Sequence, residues 1–440
     1  MLSCACAVTG VLAACNAKLA DDEATGDDGS PPLVDGGSNG DDGSASPDAT
    51  LPKGDGGGDD DASSASNPEA SPPDASAPDA RQEWSEWIGL AGQTTAVAVD
   101  HQGNVIVAGT SGGSPLLAKL APDGTILWQP TLSGAGTVGG VAVDSHDDII
   151  LSGTLGVSAL DFGGGPLSSG GYVVKFASNG AHVWSEIVVR DGQCSPVAVT
   201  PSDEIVVAGI AVAGTVLPGD GGVVIADDDG GDGFAAKLDT NGVARWATSI
   251  ETRGLLAATP DLGGGAVFVN GGTGGLATHI DTNGVVLGNY SSLQDIAFWD
   301  AKVLPSGDVL VTGGGGGSDD GILIHLTSTM DLVSSMELDP SLGAAEGIQL
   351  DDEGGVVLGG ETLHAGPWLA RMALDGGLLA SRTWDASTNV VRGVKIGLAP
   401  NHSVYLFGAL DDPPMDLGQG PIAPPSDAGG VGGFVARERF

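Results

Sequence analysis

Seven basic side chains recur at equivalent places along the C-terminal four-fifths of this chain: Lys119, Lys175, Lys237, His279, His325, Arg371 and Arg437. Five stand four positions before a turn dipeptide, at Asp123-Gly124, Asn179-Gly180, Asn241-Gly242, Asn283-Gly284 and Asp375-Gly376. His325 precedes Thr329-Met330 in the same way, and Arg437 runs into Glu438, Arg439 and Phe440. A ring of seven cations would bind an anionic ligand. The expected arrangement is more local: each stem packs along a sheet and each head pairs with a loop carboxylate such as Asp100, Asp144 or Asp351.

Other groups with chemical potential are sparse. The run Asp227-Asp228-Asp229-Gly230-Gly231-Asp232 offers hard oxygen ligands, so Asp227, Asp229 and Asp232 are candidate Ca²⁺ ligands,. The loop lacks the terminal Glu and spacing of an EF-hand, and a solvated acidic loop is the simpler expectation. The 7 His include no H-E-x-x-H pair, and no G-x-S-x-G elbow or phosphate-cradling loop is present,. Cys194, in GQCSPVAV, has no legible His partner and is expected to be a structural thiol. No enzyme and no cofactor beyond that possible Ca²⁺ is expected.

The elements that must carry these residues repeat with them. VAVDHQGNVIVAGT from Val97, VAVDSHDDIILSGT from Val141 and VAVTPSDEIVVAGI from Val197 each read as two short β-branched strands about a tight turn,. Asn-Gly and Asp-Gly supply the positive φ angles of a two-residue hairpin, so each basic residue sits on a third strand that turns into a fourth. Glycines 109, 153, 209, 271, 313, 359 and 408 are expected to stop the seven second strands, at spacings of 44, 56, 62, 42, 46 and 49. A four-stranded blade needs about 40 to 50 residues, so insertions are expected near Leu160 and Val216. A third insertion begins at Met415.

Trp128 and Trp184 lie sixteen positions before Asp144 and Thr200, and Trp84 lies sixteen before Asp100 with no complete hairpin ahead of it. Trp84 therefore marks an orphan fourth strand. The pattern predicts an all-β fold: a single β-propeller of seven four-stranded blades, in which residues 83–90 close the sheet formed by 391–440.

The alternation of A-V-D-x-x-G-N-V-x-V-x-G with A-K-L-x-x-D-G-x-x-x-W, with inserts of the LDFGGGPL type, resembles the SBBP-type β-propeller repeats of predicted bacterial surface lipoproteins. The resemblance covers most of residues 84–440. It implies a fold and brings no catalytic residues, because that family is defined by its structural repeats.

The N-terminus points the same way. MLSCACAVTGVLAAC ends in Leu12-Ala13-Ala14-Cys15, which resembles the lipobox of bacterial lipoprotein signal peptides, although no Lys or Arg precedes Cys15,. That resemblance implies cleavage after residue 14 of the 1–15 segment and lipidation of Cys15. Residues 16–82, with 16 acidic and 3 basic side chains, have no hydrophobic period and are expected to be a disordered acidic linker,. At about 5 to 6 Å times the square root of its length, such a chain reaches roughly 45 Å. With Cys15 lipidated, Cys194 would be the lone thiol of the folded region and no disulfide could form there.

The whole chain carries −41, and residues 83–440 hold 41 acidic and 13 basic residues. Such a field repels nucleic acid. The expectation is a monomeric, non-enzymatic propeller (residues 83–440), anchored to a membrane through its lipid at the cell envelope, on the outer membrane or cell surface. It would bind a protein or a glycan. Alternatives are an extracellular polysaccharide-acting hydrolase or lyase, and a structural surface protein.

Overall fold

The computed structural model describes residues 83–87 and 96–439, except 158, 216, 218–232, 252–253, 273, 293–295, 316–319, 363–365, 385–390, 411–414, 420 and 423–431. Segments 1–15 and 16–82, Cys15 and the candidate ligands Asp227, Asp229 and Asp232 lie outside the described residues.

Seven antiparallel four-stranded sheets follow one another along the chain. Blade 1 comprises Ala96–Val99, Val105–Ser111, Ser114–Leu120 and Ile126–Trp128; blade 2, Gly136–Val143, Ile149–Leu155, Gly170–Phe176 and His182–Val189. Blade 3 comprises Gly192–Val199, Ile205–Ala211, Gly233–Leu238 and Ala244–Ile250; blade 4, Leu255–Pro260, Ala266–Asn270, Leu276–Ile280 and Val286–Ser291. Blade 5 comprises Ile296–Val303, Val309–Gly315, Gly321–Leu326 and Leu332–Glu337; blade 6, Ala344–Leu350, Gly355–Thr362, Gly366–Ala373 and Leu378–Thr383. Blade 7 takes Val391–Leu398, Ser403–Leu410 and Gly432–Arg439 from the C-terminus and its fourth strand, Trp84–Trp87, from the other end of the domain. Trp84 pairs with Arg437 and Trp87 with Phe434, so the ring closes where the Trp spacing predicts.

The first strand of each blade is innermost, and each touches the first strand of the next, blade 7 against blade 1 included. Second and third strands read as continuous apolar runs because both of their faces are buried between blades. In blade 1, Ile106, Ala108 and Leu117 pack toward blade 2, whereas Val105, Val107, Ala118 and Leu120 pack toward Tyr405, Phe407 and Val435 of blade 7. One such apolar cluster fills each of the seven seams.

Apart from Gly271, which follows a strand that ends at Asn270, the second-strand glycines do not end their strands, which run two or three residues further. They are required because the first strand's backbone presses on them. A Cβ at Gly153, Gly209, Gly313 or Gly360 would collide with the carbonyl oxygen of Thr137, Gln193, Ala297 or Ala344. That register corrects two markers: the equivalent residues in blades 4 and 6 are Asn270 and Gly360, rather than 271 and 359.

Antiparallel connection fixes two faces. Turns from first to second and from third to fourth strands share one face, here the turn face. Connections from second to third strands and from blade to blade share the other.

Candidate functional site

The seven recurrent cations sit on third strands near the turn face, and their charge is used inside the ring. Lys119 Nζ lies 2.8 Å from Asp100 Oδ2 and donates to Ser178 O of blade 2 at 3.2 Å. Lys175 reaches Asp144 at 2.6 Å and Asp148 at 3.2 Å. Burial pulls the Lys175 ammonium toward neutrality, but those two carboxylates outweigh it and hold the group more strongly protonated than usual,. Lys237 pairs with Glu204 at 2.5 Å and donates to Gly264 O and Thr282 Oγ1 of blade 4. His279 bridges Asp261 at 2.9 Å and Ser328 O of blade 5. His325 contacts Asp308, and Arg371 binds Asp351 and Glu353. Arg437 donates to Ser403 Oγ and to Pro122 O of blade 1. Several of the heads thus reach the neighbouring blade.

The fourth-strand tryptophans reinforce the same seams. Trp84, Trp128, Trp184 and Trp246 each donate Nε1–H to a hairpin carbonyl of the next blade: Pro122, Ser178, Thr240 and Thr282, at 2.8 to 3.1 Å. Each ring lies over the turn glycine two residues on, Gly124, Gly180, Gly242 or Gly284, where a Cβ would meet the indole. In blade 4 the pair is exchanged. Gly288 takes the Trp position and its backbone lies against Thr329 of blade 5, where Met330 holds the left-handed turn position at φ 68°. In blade 5 the thioether of Met336 covers Gly376 instead.

Around the channel mouth the first-to-second turns form a rim. His101 Nδ1 meets Asp147 of blade 2 at 2.8 Å, Ser145 and His146 meet Asp203 of blade 3, and His402 of blade 7 meets Asp352 of blade 6 at 3.1 Å. Asp147, Asp203 and His402 are the rim residues with positive φ that are not glycine, and the preceding blade holds each of them. A shallow cavity of about 320 Å³ opens here, lined among others by Asp100, His101, Gln349, Asp352 and His402. Donor atoms of Asp144, His146 and Asp203 lie within 4.8 Å of one another. Asp144 is spent, however: one oxygen holds Lys175 and the other accepts the backbone N–H groups of His146 and Asp148. A metal there would have two protein ligands left.

The channel wall is polar on one side. Innermost strands of blades 1 to 4 carry no charged residue, whereas blade 5 supplies Asp300 and Lys302, blade 6 Glu346, and blade 7 Lys395. Asp300 accepts the Ile348 N–H of blade 6 at 3.2 Å, Gln349 donates to Ile396 O, and Lys395 donates to Glu346 O at 2.8 Å. Burial raises the Glu346 carboxyl above the ordinary range, against the pull of Lys395,. Charges entering a strand that elsewhere reads AVAV were a visible signal in the sequence, and the repeat-based reading passed over them.

On the opposite face, two of the predicted insertions are built to one plan. Leu160–Asp161 pairs with Pro166–Leu167 in blade 2, and Met415–Asp416 pairs with Pro421–Ile422 in blade 7. In both, the Asp side chain accepts turn N–H groups, from Gly163 and Gly165 in one and Gly418 in the other. Leu160 and Phe162 are buried in one cluster with Leu132 of the preceding connection, and Met415 and Leu417 in one with Trp384. These ribbons therefore cap the blade 1/2 and 6/7 seams. Cys194 is a fully buried free thiol, its acidity suppressed by burial.

No family model matches the sequence, and no curated protein matches it. Among solved structures, the chain is similar to one from the mitotic checkpoint complex, 10% identical over 84% of this chain and 98% of that one, with a TM-score of 0.51. It is also similar to a streptogramin B lyase, 13% identical over 74% and 93%, TM-score 0.49. A protein of unknown function from Bacteroides caccae is 14% identical over 64% and 93%, TM-score 0.43. At these identities the likeness speaks for fold alone. The chain is an all-β, seven-bladed propeller closed by its own N-terminal strand.

Proposed function

We propose that this chain is a non-enzymatic binding scaffold at the cell envelope, tethered by a lipid on Cys15 and the acidic 16–82 linker, which holds a protein partner on the face opposite the turns. One observation carries the reading. The insertions near Leu160 and Met415 leave from connections between second and third strands, as does the chain between Ala211 and Gly233, so all three depart from a single face. The turn face, by contrast, has its cations paired within their own blades or bonded to the next, and its Trp84, Trp128, Trp184 and Trp246 indoles bonded to the next blade. Protein is favoured over glycan because no Phe, Trp or Tyr side chain among the described residues is exposed, and these are the stacking platforms for sugar rings,.

Two measurements test this. Feeding cells a clickable fatty acid should label the wild type and leave Cys15→Ala unlabelled; equal labelling would remove the anchor. A photo-crosslinking residue at Ser168, exposed on the insertion face, should give protein adducts on intact cells, and one at Asn241, exposed on the turn face, should not. Adducts at Asn241 alone, or at neither position, would overturn the reading.

A further inference from the structure

The fourth strand of blade 1 stops early. Ile126–Trp128 has three residues, against six to eight in blades 2 to 6. It meets the third strand only at Lys119 and Leu120, whereas in blade 2 pairing continues to Gly171 and Val189. The cause lies in the sequence: Pro130 lacks an N–H for the ladder and restricts Gln129 before it,. Among the described residues, no backbone group takes the place that the missing half-strand leaves beside Pro115 and Leu117, whose backbone groups face outward while Ser114, Leu116 and Ala118 face the second strand. Pro115, tolerated at a sheet edge and disfavoured in a sheet centre, fits that position,.

That edge borders a groove of about 360 Å³ whose other wall is Gln129, Pro130, Thr131 and Leu132. It opens toward the insertion face, beside the ribbon that packs on Leu132. We infer that this groove takes an extended, basic segment of the partner protein as an added fourth strand, a strand-addition mode in which main-chain hydrogen bonds give affinity. A segment of three to four residues, about 10 to 13 Å long, fills the slot. Its charge follows from complementarity. The groove is lined by neutral residues, and the surrounding propeller carries 41 acidic side chains against 13 basic ones.

The proposal rests on the insertion face being the binding face, and its test separates the two. The probes are two fluorescent peptides of equal charge, one alternating lysine with valine and one alternating lysine with proline, titrated by anisotropy against the full chain at low and moderate salt. The valine peptide should bind at least tenfold tighter, and the margin should persist when salt weakens both. Pro130→Val combined with Thr131→Val, which lengthens the chain's own strand over the slot, should abolish the margin. Amide exchange at Leu117, whose N–H faces the slot, should slow when the valine peptide binds and not with the proline peptide, and serves if the variant fails to fold; exchange unchanged by the valine peptide overturns the slot. Equal binding of the two peptides, or a margin unchanged in a folded variant, overturns the slot. If Ser168 adducts survive that result, the face assignment still stands; loss of those adducts instead removes the face.

Discussion

At the scale of single residues, the recurrent cations show how position decides role. Lys175 is nearly buried, and its ammonium neutralises Asp144, which is buried as well, and Asp148. Removing one partner of a buried pair leaves the other charge uncompensated, at a cost of about 3 kcal/mol or more. Lys175→Met should therefore lower stability by that order in denaturant titrations. Asp144→Asn together with Lys175→Met should recover part of the loss, since the double variant buries no lone charge. An anion-binding ring predicts the reverse: loss of ligand affinity with little change in midpoint. His279 adds a pH dependence of known sign. Burial opposes its protonation, but Asp261 and Ser328 O outweigh that and raise its pKa. Its contribution is complete below its ordinary value and fades as pH rises through the raised one.

At the scale of elements, the seam is stitched by a large ring over a missing side chain. Gly242 has φ +82° and a Cβ there would lie 2.9 Å from the Trp184 ring. Gly242→Ala should cost about 1 to 2 kcal/mol from backbone strain and the clash, and Trp184→Ala about 2 kcal/mol from lost packing and the Thr240 hydrogen bond. With the indole gone, the added methyl meets no ring, so the double variant should cost less than the two single losses combined. Additive losses in a denaturant cycle would mean that the contact does not couple the blades.

This level also shows what could be read beforehand. The hairpin dipeptides and the Trp84 closure were legible because each depends on local backbone geometry that few residues satisfy, whereas the second-strand glycines were read as strand stops and are instead sites of close backbone approach. The destination of the indoles was not, since Trp184 and Gly242 are 58 positions apart and no periodicity links them. The register of blade 4 was missed for a related reason: Asn270 substitutes for the glycine, and a shifted Gly271 mimicked it. The insertions were legible only as breaks in the repeat, and the buried Leu160, Phe162, Met415 and Leu417 show that alternation within a four-residue ribbon is too short to signal burial.

At the scale of the whole molecule, stability depends on one seam that chain connectivity does not protect, because blade 7 is completed by a strand of four residues. Three devices hold it: the Trp84 hydrogen bond into blade 1, the ladder to Gly432–Arg439, and Arg382 of blade 6, which meets Glu438 at 2.6 Å and Glu83 at 3.1 Å. The last has an unfavourable component. Glu438 is almost fully buried, and burial pushes its carboxyl up to about 7 despite the Arg382 guanidinium. Its ordinary value is 4.5, so between that pH and about 7 the folded chain binds more protons than the unfolded one. Stability at this site therefore falls as pH rises through the window. Thermal midpoints of the wild type should drop between pH 5 and 7.5, with part of the slope due to His279, which acts in the same direction. Glu438→Gln keeps the shape, removes the titration and should flatten the remainder, so the difference between the two curves isolates the closing seam. A variant whose midpoint tracks the wild type across that window would show that closure does not depend on this carboxyl.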